Sequence, residues 1–307
     1  MEKVLVTGGS GMVGNALKRI LPEAIYISSK DFNLLDENET QEMFKLYEPK
    51  FVVHLAAKVG GVKANYDNLG TFYLENVRIN TNVLEAARKY ETQKVVSLLS
   101  TCVYPEDSTY PLTEDQIHNG EPHYTNFAYA YAKRMLDVQS RAYREQYGCN
   151  FITAIPNNLF GENDYFHLED SHVIPAVIRK IHEAQQNHTP AIFWGDGAPM
   201  REFTYSGDVA KILLFLLEKY DGKHPINIGN TEETSIKEVV LCVSEIMNFS
   251  GELVWDRTKL QGQHRKPSSN KKLINLGSKE EFYSPFKENL KKTCEWFKVN
   301  YPNIRGV

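Results

Sequence analysis

The sequence is poor in cysteine and carries no large excess of charge of either sign. It has four cysteines in 307 residues, Cys102, Cys149, Cys242 and Cys294, and none belongs to a C-x-x-C pair. This spacing predicts neither a disulfide framework nor a zinc or other metal site, and it favours a reducing compartment. The formal net charge of −4 argues against nucleic acid or an anionic membrane as the main partner.

Long apolar runs are also missing. No stretch approaches the roughly 20 apolar residues that cross a bilayer, and no leader-like segment precedes the strand-like run at Val4. The expectation is a cytoplasmic protein without a membrane partner. Because 42% of the residues are hydrophobic and 24% are charged, the chain can bury a substantial core.

Strand-like and helix-like segments alternate over the first half of the chain. The predicted strands are residues 4–7, 24–28, 51–55, 94–99 and 151–155, and the predicted helices are residues 12–21, 36–47, 74–90 and 129–147. Short apolar runs separated by helices of this length indicate a parallel sheet covered on both faces. The sequence therefore predicts an α/β fold with a doubly wound parallel sheet of the Rossmann kind.

This alternation weakens after about residue 163. Loops are expected around residues 163–171, 186–200 and 256–270. We predict a dinucleotide-binding domain over residues 1–163 and a smaller lobe over residues 164–307 that covers the substrate. Part of about 201–232 is expected to return to the main sheet.

A glycine-rich turn follows the first predicted strand and opens the first helix. Its G-x-x-G-x-x-G pattern lies in the segment Gly8, Gly9, Ser10, Gly11, Met12, Val13 and Gly14. Glycines let the backbone approach a pyrophosphate closely, and the helix N-terminus favours the pyrophosphate charge. A glycine cluster alone also suits a plain tight turn, but its position between strand and helix predicts dinucleotide binding.

The end of the second predicted strand bears on which dinucleotide binds. An acidic residue there would accept a hydrogen bond from the ribose 2′-hydroxyl of NAD. This sequence instead has Ser28, Ser29 and Lys30, followed by Asp31. Hydroxyls and a cation suit a 2′-phosphate, so the sequence favours NADP(H). The alternative is that Lys30 is a solvated surface residue.

Tyr129 and Lys133 stand four residues apart on one face of a predicted helix. The lysine ammonium is expected to favour the phenolate and to lower the tyrosine pKa. The tyrosine would then donate its proton to a carbonyl oxygen that becomes an alkoxide as hydride arrives. Ser100, at the sheet edge where ligands bind, would bond the same oxygen, whereas Tyr131 lies on another helix face. Cys102 by itself is interpreted as a buried small hydrophobe.

Several segments together resemble the GDP-L-fucose synthases, a family of extended short-chain dehydrogenases/reductases. These segments are residues 7–14, 56–61, 100–105, 129–133, 156–161, 171–175, 194–197 and 200–203. The glycine turn and the tyrosine–lysine pair mark only the larger group. Val-Gly-Gly at 59–61, Ser-Thr-Cys at 100–102 and Ser-His-Val-Ile-Pro at 171–175 are far more specific.

The resemblance implies an NADPH-dependent enzyme that acts on GDP-4-keto-6-deoxy-D-mannose. Such an enzyme epimerises the sugar at C3 and C5 and then reduces C4, which gives GDP-L-fucose. Ser100, Tyr129 and Lys133 would serve the reduction, and Cys102 and His172 would be the acid and base of epimerisation. Without the motif around it, His172 would be interpreted as a hydrogen-bonded loop residue.

The resemblance also implies binding roles and an assembly. The predicted cofactor contacts beyond the glycine turn are Ser29, Lys30, Ala56, Ala57, Lys58, Lys133, Pro156, Asn157, Asn158, Leu159 and His172. The predicted GDP-sugar contacts are Asn158, Lys180, Trp194, Arg201 and Lys266. Two long helices would form a four-helix interface in a homodimer, although their apolar faces could equally be satisfied by the sheet.

Three positions depart from the usual family pattern. Asn157 stands in place of threonine, Glu162 in place of proline and Gln261 in place of aspartate. These positions border the nicotinamide or the sugar pocket, so an alternative stays open. It is a C4 reductase of a related GDP-4-keto sugar, such as a heptose, with little or no epimerisation. A non-catalytic NADPH-binding regulator and a redox-neutral 4-epimerase are further readings from other classes.

Overall fold

The computed structural model describes residues 3–258, 264–278 and 282–307. The strands in these residues are β1 (Val4–Thr7), β2 (Ile25–Ile27), β3 (Phe51–His54), β4 (Lys94–Leu98), β5 (Phe151–Ile155), β6 (Asn158–Phe160), β7 (Ala191–Trp194), β8 (Met200–Tyr205), β9 (Ile226–Asn227), β10 (Glu233–Ser235) and β11 (Leu253–Asp256). The helices are α1 (Met12–Ile20), α2 (Glu37–Tyr47), α3 (Val62–Asp67), α4 (Leu69–Lys89), α5 (Phe127–Tyr147), α6 (Val173–Asn187), α7 (Ser206–Lys219), α8 (Ile236–Met247), α9 (Lys271–Asn275) and α10 (Phe286–Asn300). Gln261, one of the three departures from the family pattern, lies outside the described residues.

A six-stranded parallel sheet forms the centre of the molecule, in the order β2-β1-β3-β4-β5-β9. Successive side chains of a strand point to opposite faces. In β1, Val4 and Val6 therefore pack with α1 and α7, whereas Leu5 packs with α2, α4 and α5. Both faces are covered by apolar helices, which confirms the doubly wound sheet predicted from the sequence.

The topology places a switch point between β1 and β3. From β1 the chain crosses to β2 on one side and then returns to β3 on the other side of β1. The loops that leave the carboxyl ends of β1 and β3 consequently diverge and open a crevice, which is where open α/β sheets bind ligands.

Capping residues in the sequence mark several of the helix ends. The Asp36 carboxylate accepts hydrogen bonds from the backbone N–H groups of Asn38 and Glu39 and caps α2. Gly148 ends α5 with a φ of +72°, a left-handed conformation that glycine adopts at little cost. In contrast, α4 begins at Leu69, five residues before the predicted start at 74. Gly70 lies in the first turn of α4 and is a poor helix former, so the sequence pattern did not predict a helix start at Leu69.

The strands outside the central sheet are short, and their partners lie far away in sequence. A three-stranded sheet has the order β10-β8-β6, and β7 pairs in parallel with β11. The expectation of a loop over residues 186–200 is wrong for β7, because its partner strand begins about sixty residues later. Apolar side chains of α6, α8 and α10 form a separate core cluster. No helix among the described residues is long and apolar enough to cross a membrane.

Candidate active site

The glycine turn fits a dinucleotide, because its backbone is packed where side chains would not fit. Gly8 has a φ of +70°, and a Cβ added to it would lie 2.8 Å from the backbone nitrogen of Ala56, just past β3. A Cβ on Gly14 would lie 2.6 Å from the carbonyl oxygen of Gly9. No side chain caps α1 at Gly11. The turn therefore offers a helix N-terminus and bare backbone at the switch point, as pyrophosphate binding requires.

Asp31, the acidic residue near the end of β2, is already engaged. Its carboxylate accepts hydrogen bonds from the backbone N–H of Ser28 at 2.8 Å and from the Ser28 hydroxyl at 2.7 Å. These bonds hold the pKa of Asp31 below its ordinary value. Ser29 and Lys30 are exposed beside it. The arrangement presents a hydroxyl and an ammonium to solvent, the groups that suit a 2′-phosphate.

The loop after β3 carries Ala56, Ala57 and Lys58 and is fixed by an asparagine that the sequence did not single out. The Asn76 amide accepts from the backbone N–H of Lys58 and donates to its carbonyl oxygen, both at 3.0 Å. The buried Asn76 side chain thereby satisfies both backbone polar groups of Lys58, as a neighbouring strand would. The Lys58 ammonium adds an ion pair with Glu75 at 3.6 Å, so both its backbone and its side chain are bound to α4.

The Val-Gly-Gly segment of this loop touches the loop that carries His172. The backbone N–H of Gly61 donates to the carbonyl oxygen of Asp170 at 2.7 Å. A Cβ on Gly61 would lie 2.7 Å from the carbonyl oxygen of Ser171. Glycine is therefore required for close backbone packing at this position, which explains a motif that sequence alone could only match to a family.

Lys133 is buried in the first turns of α5 and faces the end of β4. Its ammonium donates to the carbonyl oxygen of Leu98 at 2.8 Å and lies 5.8 Å from the ring centroid of Tyr129. Burial disfavours the cation and lowers the pKa of Lys133 to about 8, although the Cys102 thiol acts in the other direction. Lys133 and Tyr129 share one helix face, as predicted.

The Tyr129 phenol does not behave as expected from the sequence. Burial, with a smaller contribution from the Cys102 thiol, raises the pKa of Tyr129 well above its ordinary value. The expected lowering of the tyrosine pKa is therefore wrong for the protein chain, because burial disfavours the phenolate. Tyr129 keeps its proton at neutral pH, which is the state that a proton donor needs.

Ser100 and Cys102 lie at the carboxyl end of β4, in a 3-10 turn over Thr101–Val103. The Ser100 hydroxyl accepts from the backbone N–H of Cys102 at 3.5 Å. Burial raises the pKa of the Cys102 thiol, and Ser100, Lys266 and Lys133 offset part of that rise. The structure therefore brings Ser100, Cys102, Tyr129 and Lys133 into one cluster.

His172 is the N-cap residue of α6, and its imidazole is accessible to solvent. The surrounding chain nevertheless lowers its pKa by desolvation. His172 follows directly on residues 170 and 171, which pack on Gly61. A neutral imidazole at this position is able to accept a proton.

The predicted GDP-sugar residues form two groups. In the first, the Lys180 ammonium lies 5.4 Å from the ring centroid of Trp194 and donates to the carbonyl oxygen of Ile192. In the second, Arg201 on β8 and Lys266 lie close enough for their charges to interact, and burial together with this repulsion lowers the pKa of Lys266. Burial likewise lowers the pKa of Arg201. Two facing cations favour an anionic ligand.

Pro156, Asn157, Asn158 and Leu159 run from the end of β5 into β6. The Asn157 side chain is buried and donates to the Glu202 carboxylate at 3.2 Å and to the Asn230 carbonyl oxygen at 2.7 Å. Asn158 is exposed, and its amide donates to the Glu202 backbone carbonyl. The asparagine that replaces threonine thus serves a buried network, and its side chain is turned away from the open edge.

Glu162, the residue that replaces proline, accepts a hydrogen bond from the Tyr205 hydroxyl at 2.8 Å. It also lies 3.5 Å from the guanidinium of Arg19 at the end of α1. These contacts join the glycine-turn helix to the end of β8. The glutamate at position 162, where the family usually has proline, therefore makes contacts that hold parts of the fold together.

Two features together characterise the nicotinamide-dependent short-chain dehydrogenases/reductases. One is a glycine turn that fits a dinucleotide, and the other is a tyrosine and a lysine on one helix face. The model of the NAD dependent epimerase/dehydratase family matches residues 4–229. A GDP-L-fucose synthase from Dictyostelium discoideum is 41% identical over 311 residues, which cover 98% of this chain and 97% of that protein. This chain therefore belongs to the NAD dependent epimerase/dehydratase family and, within it, to the GDP-L-fucose synthases.

Solved structures agree with this assignment. A GDP-L-fucose synthetase from Naegleria fowleri bound to NADP is 39% identical, with a TM-score of 0.92, and the match covers 99% of this chain and 97% of that one. A GDP-6-OMe-4-keto-L-xylo-heptose reductase from C. jejuni is 27% identical, with a TM-score of 0.89, and the match covers 97% and 98% of the two chains.

Proposed function

We propose that this protein uses NADPH to convert GDP-4-keto-6-deoxy-D-mannose into GDP-L-fucose, by epimerisation at C3 and C5 followed by reduction at C4. The observation that carries the proposal is the cluster of Ser100, Cys102, Tyr129 and Lys133 at the carboxyl end of β4. This cluster lies at the same sheet edge as the glycine turn.

In the reduction, Tyr129 supplies the proton. Bound NADPH supplies the hydride that arrives at C4. The Tyr129 phenol, protonated at neutral pH, donates to the developing alkoxide, and the Ser100 hydroxyl donates a hydrogen bond to the same oxygen. The Lys133 ammonium stabilises the negative charge left on Tyr129. Repulsion by a thiolate at Cys102 would oppose this step, so the raised pKa of that thiol favours it.

In the epimerisation, a proton leaves C3 or C5 on one face of the sugar and another returns on the opposite face. Such protons are acidic because the enolate places its charge on the C4 oxygen, which Ser100 and Tyr129 stabilise. We assign Cys102 and His172 as the two groups that exchange protons with carbon. The raised pKa of Cys102 favours a protonated thiol that can donate a proton, and the lowered pKa of His172 favours a neutral imidazole that can accept one.

The remaining predicted residues hold the ligands. The glycine turn, residues 56–58 and residues 156–159 would hold the dinucleotide, with Ser29 and Lys30 at its 2′-phosphate. Arg201 and Lys266 would present two partly buried cations to the diphosphate of the sugar nucleotide. Lys180 and Trp194 would hold the other part of that nucleotide.

The test is NADPH oxidation, followed at 340 nm after addition of GDP-4-keto-6-deoxy-D-mannose in deuterated water. We expect stoichiometric oxidation and a product with the GDP-L-fucose configuration that carries deuterium at C3 and C5. Product without deuterium at either carbon would exclude epimerisation. Interconversion of sugars without net oxidation would show a redox-neutral 4-epimerase instead.

The second candidate is a C4 reductase of a related GDP-4-keto sugar. The similarity to the C. jejuni heptose reductase favours it. The same assay distinguishes the two candidates. With a GDP-4-keto-heptose, a reductase of this kind would oxidise NADPH faster than with the deoxymannose and would leave solvent deuterium out of C3 and C5.

We also propose a division of labour, an assembly and a location. Residues 1–163 would bind the dinucleotide, and residues 164–307 would cover the sugar nucleotide, apart from the return of β9 to the main sheet. Exposed apolar side chains on α4 and α5, including Leu74, Met135 and Val138, support a homodimer through these helices. Four free cysteines support a reducing, cytoplasmic location.

A further inference from the structure

Residues 264–270, here called the strap, cross the molecule between its two parts. At one side, Leu112 donates its N–H to the Pro267 carbonyl at 2.8 Å and accepts from the N–H of Ser269 at 2.9 Å. At the other side, the N–H of Met200 donates to the His264 carbonyl at 2.8 Å. The strap is therefore held by backbone bonds to the segment that follows residues 100–105 and to the start of β8.

A buried carboxylate fixes the middle of the strap. Glu202 on β8 is 2% exposed, and one of its oxygens accepts from the Ser268 N–H at 2.8 Å. The other oxygen accepts from the Ser268 hydroxyl at 2.5 Å and from the Asn157 amide at 3.2 Å. Three donors converge on one carboxylate, and their hydrogen bonds favour its ionised form, which offsets part of the rise in pKa that burial causes. A carboxylate that is buried this deeply needs such compensation.

A second polar contact connects the strap with the turn that carries Cys102. The Tyr104 hydroxyl donates to the Asn227 side-chain oxygen at 2.7 Å. The amide of Asn227 donates to the carbonyl oxygens of Ser269 at 3.0 Å and Leu112 at 3.1 Å. Every polar atom of the Asn227 side chain is thus used, and the strap and the catalytic turn share one buried framework.

The strap carries Lys266, two residues before Ser268. The charges that act on Lys266 come from the Cys102 thiol and the Arg201 guanidinium, and no carboxylate of the described residues is among them. The Arg201 guanidinium donates to the His264 carbonyl oxygen at 3.5 Å, which places it against the strap that carries Lys266, and Tyr110 is the group that acts on its charge. Two partly buried cations that repel each other must be held together by the fold until an anion arrives.

We propose that Glu202 and Ser268 are positioning residues that hold Lys266 beside Arg201, so that the two cations bind the diphosphate of a sugar nucleotide together. The inference rests on the proposed function and assigns it two residues that act without touching substrate. Glu202 bonds the strap at Ser268, and its charge also acts on Arg265 of the strap, so it holds the segment that carries Lys266.

The test is a double-mutant cycle on binding, with GDP as the diphosphate probe. Calorimetry would measure the GDP dissociation constant of the intact protein, of Ser268→Ala, of Lys266→Ala and of the double variant. We expect Ser268→Ala to weaken GDP binding about tenfold and Lys266→Ala at least as much, with the double variant no weaker than Lys266→Ala alone. Such non-additivity is expected when one residue acts through the other.

Two controls separate positioning from general loosening. Ser269→Ala removes a neighbouring strap hydroxyl whose contact is with the Lys271 N–H, and it should leave GDP binding unchanged. The dissociation constant for NADPH should stay within about twofold in all variants. Glu202→Gln should match Ser268→Ala, and if it fails to fold, Ser268→Ala still carries the test.

If the losses of GDP affinity caused by Ser268→Ala and Lys266→Ala multiply in the double variant, the positioning role is overturned. An equal loss of NADPH binding, or an intact protein that does not bind GDP, would overturn it as well. GDP binding is measured without turnover. Failure to reduce GDP-4-keto-6-deoxy-D-mannose would therefore count against the proposed function, whereas the double-mutant cycle on GDP binding could still be interpreted.

Discussion

At the residue scale, burial decides the chemistry of the tyrosine and the lysine on α5. Desolvation acts on both groups and favours the neutral form of each, so it raises one pKa and lowers the other. A protonated phenol beside a lysine that is poised near pH 8 is suited to giving a proton to an alkoxide. The same pair would be a poor general base at neutral pH, because a phenolate is disfavoured.

Tyr129→Phe removes this proton donor while keeping the ring that packs against Phe72. We expect the rate of NADPH oxidation to fall by about 10²- to 10⁴-fold. Solvent deuterium should still enter the bound sugar, because Cys102 and His172 remain. The matched control is Tyr131→Phe, which alters an exposed tyrosine on another face and should keep full activity. Undiminished oxidation by the Tyr129 variant would assign the proton to another group.

Lys133 should give the reduction a pH dependence. Its pKa is lowered to about 8, so the ammonium is present below that pH and is lost as pH rises through it. We therefore expect kcat/KM for reduction to fall above about pH 8. Lys133→Arg keeps a cation to much higher pH, so the fall in kcat/KM should shift to higher pH even if the rate itself is lower. If the fall stays at the same pH in the arginine variant, a different group titrates.

At the element scale, the loop after β3 and the loop before α6 support each other through backbone contact. Gly61→Ala places a Cβ within 2.7 Å of the Ser171 carbonyl oxygen, so residues 170–171 must shift and displace His172. We expect deuterium incorporation at C3 and C5 to slow by about 10- to 100-fold, since displacements near 1 Å have effects of this size.

Gly70→Ala provides the matched control for that prediction. Gly70 lies in α4, and a Cβ there would meet no atom within 4 Å. Alanine should stabilise the helix by about 1 kcal/mol and leave the exchange rate unchanged. Equal exchange rates in the intact protein and the Gly61 variant would show that the two loops move independently.

Elements with local signals could be predicted from the sequence, and elements held by distant partners could not. Buried parallel strands such as β3 are short apolar runs, and a capping aspartate marks the start of α2. In contrast, β7 is a strand only because β11 lies beside it. In the site, motifs identified Tyr129 and Lys133, but the contact of Glu202 with Ser268 spans 66 residues and leaves no local pattern.

At the scale of the whole molecule, α5 has two functions on two faces. Lys133 faces the sheet edge and is buried, whereas Met135 and Val138 are 46% and 39% exposed on the far side. Residues 131, 135 and 138 follow helical spacing, so they form one apolar stripe. Exposed stripes of this kind mark interaction sites, and α4 presents Leu74, 48% exposed, next to it. A second copy of the chain would cover both helices.

Met135→Glu tests this assembly, because it places a charge in the apolar stripe without touching the buried face of α5. Light scattering after size exclusion should show a dimer for the intact protein and a monomer for the variant. The control is Leu241→Glu, which puts the same charge on α8 at a side chain with 50% exposure and should stay dimeric. Since the catalytic cluster lies within one chain, the monomer should retain NADPH binding. An intact protein that is monomeric at micromolar concentrations would leave the stripe without this role.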